Sequence, residues 1–242
     1  MPAGLAAPVV IAHRGASAAW PENTLTAFEA AVRAGADMVE LDVRLTADGA
    51  LVVMHDPDVA RTTDGRGLVC ELTLAEVRAL HVPTLRDALD LLQGRAGAEI
   101  EIKDDPGEAA ADAVVDQLRD ARFDAALVSS FHAGALARTR ERDAAIATGL
   151  ETDGTDALRA GLDHVVAHGH PFLLPDAPSL RRAGREVARL AHERGVRVGT
   201  WTVDDPEEIA ELFAWGVDAV ETNMPEIAAP IRDAARIAAS LG

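Results

Sequence analysis

Short apolar runs alternate with longer segments of helical spacing from one end of the chain to the other. Runs of a few apolar residues bounded by turn residues read as strands, and apolar positions recurring every three to four residues read as helices. Strands are expected near Val9–His13, Met38–Arg44, Glu99–Lys103, Ala126–Ser130, Ala145–Leu150, Pro171–Leu174, Val196–Val203 and Ala219–Thr222. Helices are expected near Thr24–Ala34, Leu85–Leu92, Glu108–Ala121, Gly134–Arg142, Asp156–His168, Leu180–Arg194, Glu207–Trp215 and Glu226–Ala239. Asn23 or Thr24 caps the first helix and Gly35 closes it, while Ser179 and Gly195 bracket the sixth. This alternation predicts parallel strands joined by crossover helices, and eight units favour a closed barrel over an open sheet.

One segment breaks the repeat. Leu51–His55 is a further strand-like run that begins only a few residues after the second strand, too soon for a parallel crossover. It is expected to pair antiparallel. Asp48-Gly49 is the natural two-residue turn and would set Asp42 opposite His55, whereas a longer turn would move the pairing by one residue. The expected architecture is an eight-stranded β/α (TIM) barrel, one domain over residues 1–242, with a hairpin and loop insertion at about 46–83.

Composition narrows the class. The 242 residues suit a barrel, which typically takes about 250. No apolar run approaches the roughly 20 residues of a membrane span, so no membrane insertion is expected. The start, MPAGLAAPVVIAHRG, has no basic leader region and reads as uncleaved. Cys70 is the sole cysteine and cannot form an intrachain disulfide, which points to a cytoplasmic location. A formal net charge of −17 would repel nucleic acid and anionic membranes. An anionic small molecule would need local cations.

The period-two pattern of the strands supplies candidate chemistry. Glu40 and Asp42 share one face of their strand, and Val39, Leu41 and Val43 the other. The apolar face of a barrel strand packs on helices, so the carboxylates face inward. Glu101 and Lys103 repeat the arrangement, with Glu99 on the same face deeper in the barrel. Converging carboxylates repel one another unless a cation joins them. Lys103 could be that cation in an internal salt-bridge network, but two inward acidic pairs together with His55 favour a metal. Oxygen donors without paired Cys or His ligands suit Mg²⁺ or Ca²⁺ rather than zinc.

His13 ends the first strand and His55 the hairpin, at the barrel end where this architecture keeps its active site. Two imidazoles flanking a phosphate could serve as general base and general acid. Arg14 offers a planar fork to phosphate oxygens and Lys103 a point charge, with ion pairs to Glu22 and Glu101 as the competing readings. Asn23 could orient a ligand or cap a helix, and Trp201 could line the pocket or simply pack. His81, His132, His164, His168, His170 and His192 fall on helices or loops without matching partners and read as surface or capping residues.

The ordered set His13-Arg14-Gly15, Pro21-Glu22-Asn23-Thr24, Glu40-Leu41-Asp42-Val43, His55-Asp56, Arg61-Thr62-Thr63, Pro83-Thr84-Leu85, Glu101-Ile102-Lys103 and Trp201-Thr202-Val203 resembles the glycerophosphodiester phosphodiesterase family. The resemblance implies metal-dependent hydrolysis of small-molecule glycerophosphodiesters to an alcohol and glycerol 3-phosphate. It makes His13 and His55 the acid–base pair and Glu40, Asp42 and Glu101 the ligands of one divalent ion. Arg14 and Lys103 fall on the phosphate. The chain departs from the family in three places: His81-Val82 is a shortened stretch, Asp204 stands where Asn is usual, and Glu221-Thr222-Asn223 replaces an apolar residue, Thr and Asp. Alternative readings are lysophospholipase D action on acylated diesters, a non-catalytic phosphodiester-binding barrel, and an aldolase with Lys103 as its amine. The neighbouring Glu101 should keep that amine protonated, which counts against the last.

Overall fold

The computed structural model describes residues 6–105 and 107–241. Part of the uncleaved N-terminal reading falls on residues 1–5, outside the described residues. Nine strands occur in the order β1 (Val9–Ala12), β2 (Met38–Leu45), β3 (Leu51–Val53), β4 (Gly97–Ile102), β5 (Ala126–Ser130), β6 (Ala147–Thr152), β7 (Phe172–Pro175), β8 (Arg197–Thr200) and β9 (Ala219–Thr222). Eight of them are parallel, and pairing of β1 with both β2 and β9 closes the sheet into a barrel. The ninth, β3, runs antiparallel on β2 alone. This is the expected β/α barrel with an extra strand after its second.

The helices are α1 (Leu25–Arg33), α2 (Leu74–Ala79), α3 (Leu85–Leu92), α4 (Glu108–Ala121), α5 (Ala133–Arg142), α6 (Thr155–His168), α7 (Ala177–Ala183), α8 (Glu186–Glu193), α9 (Pro206–Ala214) and α10 (Pro225–Ser240). Thr24 caps α1, accepting from Ala27 N, which leaves Asn23 free for another partner. The expected helix Leu180–Arg194 is two helices, broken at Gly184, whose φ of +85° no continuing helix allows. Its start also differs: Asp176 is the cap and accepts from Ser179 N, so Ser179 lies inside α7. Within the insertion, α2 begins with a reciprocal Thr73/Glu76 capping box.

The apolar residues form two shells. Outward residues such as Val39, Leu41, Ile100 and Ile102 pack under the helices, while Val9, Ile11, Met38, Leu127, Phe172 and Leu174 fill the barrel's interior. Above this apolar plug the inward positions turn acidic. In register, Glu40 lies beside Glu99 and Asp42 beside Glu101. The barrel is therefore dry and packed below and charged toward its mouth.

The hairpin adopts a longer turn than Asp48-Gly49. Thr46 N donates to Ala50 O at 2.9 Å, and Ala47, Asp48 and Gly49 form the loop, with Gly49 at φ +81°. Val43 pairs with Val53, so Met54 rather than His55 faces Asp42, and Met54 N donates to Asp42 O at 2.9 Å. Contacts from the insertion account for the shift. Asp48 Oδ1 accepts from Leu74 N at 2.9 Å, and Ala47 N donates to Leu72 O at 2.8 Å, which draws the turn toward α2.

Candidate active site

β2 and β4 bring Glu40, Asp42 and Glu101 together, with one ligand oxygen of each within 4.8 Å of the others. All three are buried. Glu40 Oε1, Asp42 Oδ1 and Glu101 Oε1 have no hydrogen-bond partner among the described residues, although an unmade hydrogen bond at a buried oxygen costs about 1–3 kcal/mol. Three buried, converging carboxylate oxygens without hydrogen bonds, of which Asp42 Oδ1 meets Lys103 Nζ as an ion pair at 3.2 Å, are a donor set suited to a hard divalent cation. The residues present fit such an ion.

The remaining oxygens of the same carboxylates are anchored. Glu40 Oε2 accepts from Arg14 N at 2.7 Å, and Asn23 Nδ2 donates to Asp42 Oδ2 at 2.6 Å. Both donors sit on left-handed backbone, Arg14 at φ +56° and Asn23 at +57°, conformations that cost energy in residues other than glycine. Gly15 continues the first of these turns at φ +82°, where an added Cβ would come within 2.7 Å of the Ala27 backbone. The His13-Arg14-Gly15 turn is thus pressed against α1, which carries Asn23 just ahead of its cap.

Two cations share the acids. Lys103 Nζ lies 2.5 Å from Glu101 Oε2 and 3.2 Å from Asp42 Oδ1, and Arg14 Nε lies 3.3 Å from Asp42 Oδ2 while its Nη1 meets Glu22 at 2.9 Å. The ion pairs considered from sequence are present, and both cations also stand at the acid cluster. Burial works against the charge on Asp42, but Lys103 and Arg14 outweigh it and hold the carboxyl below its ordinary value. Burial and then Asp42 raise Glu40 well above the usual range and push Glu101 up to about 7. The three carboxyls by themselves are therefore reluctant to carry their full negative charge.

His13 and His55 stand at the mouth with differently fixed rings. His13 Nδ1 is 2.8 Å from Asn223 Oδ1. Asn223 Nδ2 is committed to Asp204 Oδ2 at 2.7 Å, so Oδ1 is the acceptor and His13 carries its proton on Nδ1. Nε2 is then unprotonated, as a general base requires. His55 Nδ1 is 2.7 Å from Asp56 Oδ1, and Asp56 is in turn bound by Arg61, whose guanidinium also grips Glu22. Burial lowers both histidines below their ordinary value. In His55 the Asp42 and Asp56 carboxylates oppose that fall, whereas the direct partner of His13 is a neutral amide.

Trp201 donates from Nε1 to Leu174 O at 2.9 Å and meets Phe131 edge-on with centroids 5.6 Å apart. Lys103 Nζ lies 5.9 Å from the centroid of the same Phe131 ring. Trp201 thus both packs and borders the mouth. Glu151 and Glu221, which sequence reasoning did not place in the site, are also buried inside the barrel, and His13, Glu40 and Glu221 form a second group with ligand atoms within 4.8 Å. Their positions on the inward faces of β6 and β9 could have been read from period-two alternation. The role of Asn223 and Asp204 had no such local signal.

Convergent acids, paired cations and two ring-fixed histidines at one barrel mouth can together bind an anionic group and exchange protons with it. A sequence profile described as the Glycerophosphoryl diester phosphodiesterase family matches residues 13–227. The chain belongs to this family of phosphoric diester hydrolases. A putative glycerophosphodiester phosphodiesterase of Bacillus subtilis (strain 168) is 33% identical over 90% of this chain and 95% of its own length. A solved glycerophosphodiester phosphodiesterase from Thermotoga maritima is 31% identical with a TM-score of 0.81, covering 93% of this chain and 98% of that one. An Oleispira antarctica phosphodiesterase solved with the product sn-glycerol-3-phosphate is 28% identical with a TM-score of 0.85, covering 94% of this chain and 97% of that one.

Proposed function

We propose that the chain hydrolyses glycerophosphodiesters to an alcohol and glycerol 3-phosphate, with one divalent ion, Mg²⁺ or Ca²⁺, held by Glu40, Asp42 and Glu101. The observation that carries this reading is the set of three buried carboxylates whose oxygens converge at the mouth shared by His13 and His55. A divalent ion at those oxygens supplies Lewis-acid polarisation of the phosphoryl group. Arg14 and Lys103 bind the non-bridging oxygens of the phosphate and offset the charge that grows there, usually the largest contribution to such catalysis. Neither cation needs to move far, because each already stands within 3.3 Å of Asp42.

The ring anchors support a division of the acid and base roles. His13, neutral with its proton on Nδ1, accepts a proton at Nε2 from the nucleophile, either water directly or the neighbouring glycerol hydroxyl with water opening the resulting cyclic phosphate. His55, whose imidazolium the Asp42 and Asp56 carboxylates partly stabilise against the larger cost of burial, donates to the departing alkoxide. Asn23 fixes Asp42, and Trp201 forms one wall of the mouth. The net charge of −17 disfavours a nucleic acid, and a small anionic substrate is held against that field by the local cations Arg14 and Lys103.

A second reading, lysophospholipase D action, is favoured by a cavity of about 430 Å³ beside His55 with Trp20, Met54, Leu80, Val82 and Pro83 among its walls. Such walls suit an acyl chain better than a charged head group. Product formation across acylated and deacylated glycerophosphodiesters tests both readings, with chelator present and then with Mg²⁺ or Ca²⁺ restored. Metal-restored release of glycerol 3-phosphate from deacylated substrates supports the first. Faster turnover of acylated substrates would favour the second, and no turnover of either class would overturn both.

A further inference from the structure

Glu221, which stands on β9 where an apolar residue is usual in the family, takes no part in the proposed reaction. Parallel pairing sets Ile11 beside Glu221 and Ala12 beside Thr222, so β9 delivers this carboxylate next to the strand that runs into His13. Glu221 is 4% exposed and Glu40 2%. One ligand atom each of His13, Glu40 and Glu221 lie within 4.8 Å of one another, the same convergence that Glu40, Asp42 and Glu101 show. The two groups share Glu40 and differ in kind, since one offers only oxygens and the other adds an imidazole.

The surroundings of this second group are those of ligands rather than of acids that merely lie close together. Glu40 Oε1 is buried without a hydrogen-bond partner among the described residues, while Oε2 is held by Arg14 N at 2.7 Å. A metal-bound imidazole almost always engages its other ring nitrogen with an oxygen, which fixes the ring and its tautomer. His13 is fixed in this way: Nδ1 meets Asn223 Oδ1 at 2.8 Å, and Asp204 locks the amide, so Nε2 and its lone pair are left to an ion. The charges that act most strongly on Glu221 are those of Glu99, Glu40, Glu151 and Glu101, all of them acidic. The nearby cations are engaged elsewhere, Arg14 with Glu22 and Asp42, and Lys103 with Glu101 and Asp42.

We infer that His13, Glu40 and Glu221 form a second cation site beside the catalytic one, and that a borderline ion such as Zn²⁺ bound there switches the hydrolase off. Imidazole suits Zn²⁺, whereas the three carboxylates suit Mg²⁺ or Ca²⁺. Three protein ligands and one water complete the four-coordinate shell that Zn²⁺ prefers, and an apolar residue at 221 would leave only two. Paired metal sites hold their ions about 3.5–4 Å apart, a span that the shared Glu40 carboxylate can bridge. An ion on His13 Nε2 takes the lone pair that the base needs. The loss of activity therefore rests on the base role given to His13 above, while the binding itself does not.

The test is a calorimetric Zn²⁺ titration of the whole protein at neutral pH in a large excess of Mg²⁺, which keeps the all-oxygen site filled. Wild type is expected to bind one more equivalent of Zn²⁺ than Glu221→Leu or His13→Ala. Glu221→Gln, which keeps the shape of the side chain, should bind that equivalent at least about tenfold more weakly. A parallel assay follows phosphodiester turnover, with each protein scaled to its own rate in Mg²⁺ alone. Zn²⁺ should inhibit wild type in a way that more Mg²⁺ does not relieve, and the Glu221 variants should need about tenfold more Zn²⁺ for half inhibition. Equal Zn²⁺ uptake by wild type and both Glu221 variants would overturn the inference. Inhibition that Mg²⁺ fully reverses would overturn it too, because Zn²⁺ would then sit on Glu40, Asp42 and Glu101. The titration reads binding without turnover, so an inactive wild type would sink the hydrolase reading and leave the site to be judged by its own Zn²⁺ uptake.

Discussion

His13 Nδ1 donates to Asn223 Oδ1 at 2.8 Å across 210 positions of sequence, and Asn223 is itself locked to Asp204 by bonds of 2.7 and 2.8 Å. The carboxylate of this chain of contacts is one residue removed from the imidazole. The two departures noted at 204 and 223 are thus one paired exchange, an Asp bound to an Asn, with the amide placed against the histidine. Asn223→Asp would put a carboxylate directly on Nδ1 and raise the pKa of His13. Because the base acts unprotonated, the acidic limb of kcat/KM against pH should move to higher pH, by about one unit or more. A pH profile measured in saturating Mg²⁺ checks this, and an unmoved limb would remove His13 from the base role.

His13→Ala and His55→Ala should each lower kcat by roughly a hundredfold or more, the usual scale for lost acid–base catalysis. Circular dichroism and thermal midpoints near wild type would show that the fold survives. Wild-type turnover of glycerophosphocholine in both folded variants would contradict the two-histidine mechanism.

Glu101→Gln removes one of three converging carboxylates while keeping its shape, and also frees Lys103 from a 2.5 Å contact. Divalent-ion affinity measured by calorimetry should fall about a hundredfold, the upper range seen even for outer-shell partners of a metal. Chelator should abolish activity of the wild type, and Mg²⁺ or Ca²⁺ should restore it. Full activity in chelator would reject the metal reading.

Glu99 has two buried oxygens with no hydrogen-bond partner among the described residues, and burial pushes its pKa up to about 8. A carboxyl whose folded pKa is raised contributes nothing adverse below its unfolded value, near 4.5, and costs stability as pH rises toward its folded value. In chelated protein, Glu99→Gln should therefore raise the thermal midpoint at pH 8 and leave it nearly unchanged at pH 4. A gain of equal size at both pH values would point to packing instead of ionisation.

Gly15→Ala should destabilise the barrel by roughly 1–3 kcal/mol, because φ is +82° and the new Cβ would press within 2.7 Å of Ala27. The thermal midpoint should fall by about 2–4 °C per kcal/mol for a chain of this size. Activity should fall further than stability explains, since the same turn presents Arg14 N to Glu40.

Much of the site was legible because the relevant signals are local. Alternation along Glu40-Leu41-Asp42 and Glu99-Ile100-Glu101 sets the acids inward, since a strand's side chains point to opposite faces whatever lies beyond it. The histidines at the ends of β1 and the hairpin, and the repeat of strand and helix that closes the barrel, follow from the same short-range patterns. The tertiary structure alone decided the hairpin register, because Asp48 reaches Leu74 and Ala47 reaches Leu72 within the insertion. It alone joined Asn223 and Asp204 to His13, and Thr148 to His170. These contacts depend on where the closing barrel delivers distant segments, and their partners carry no periodicity that one segment could reveal.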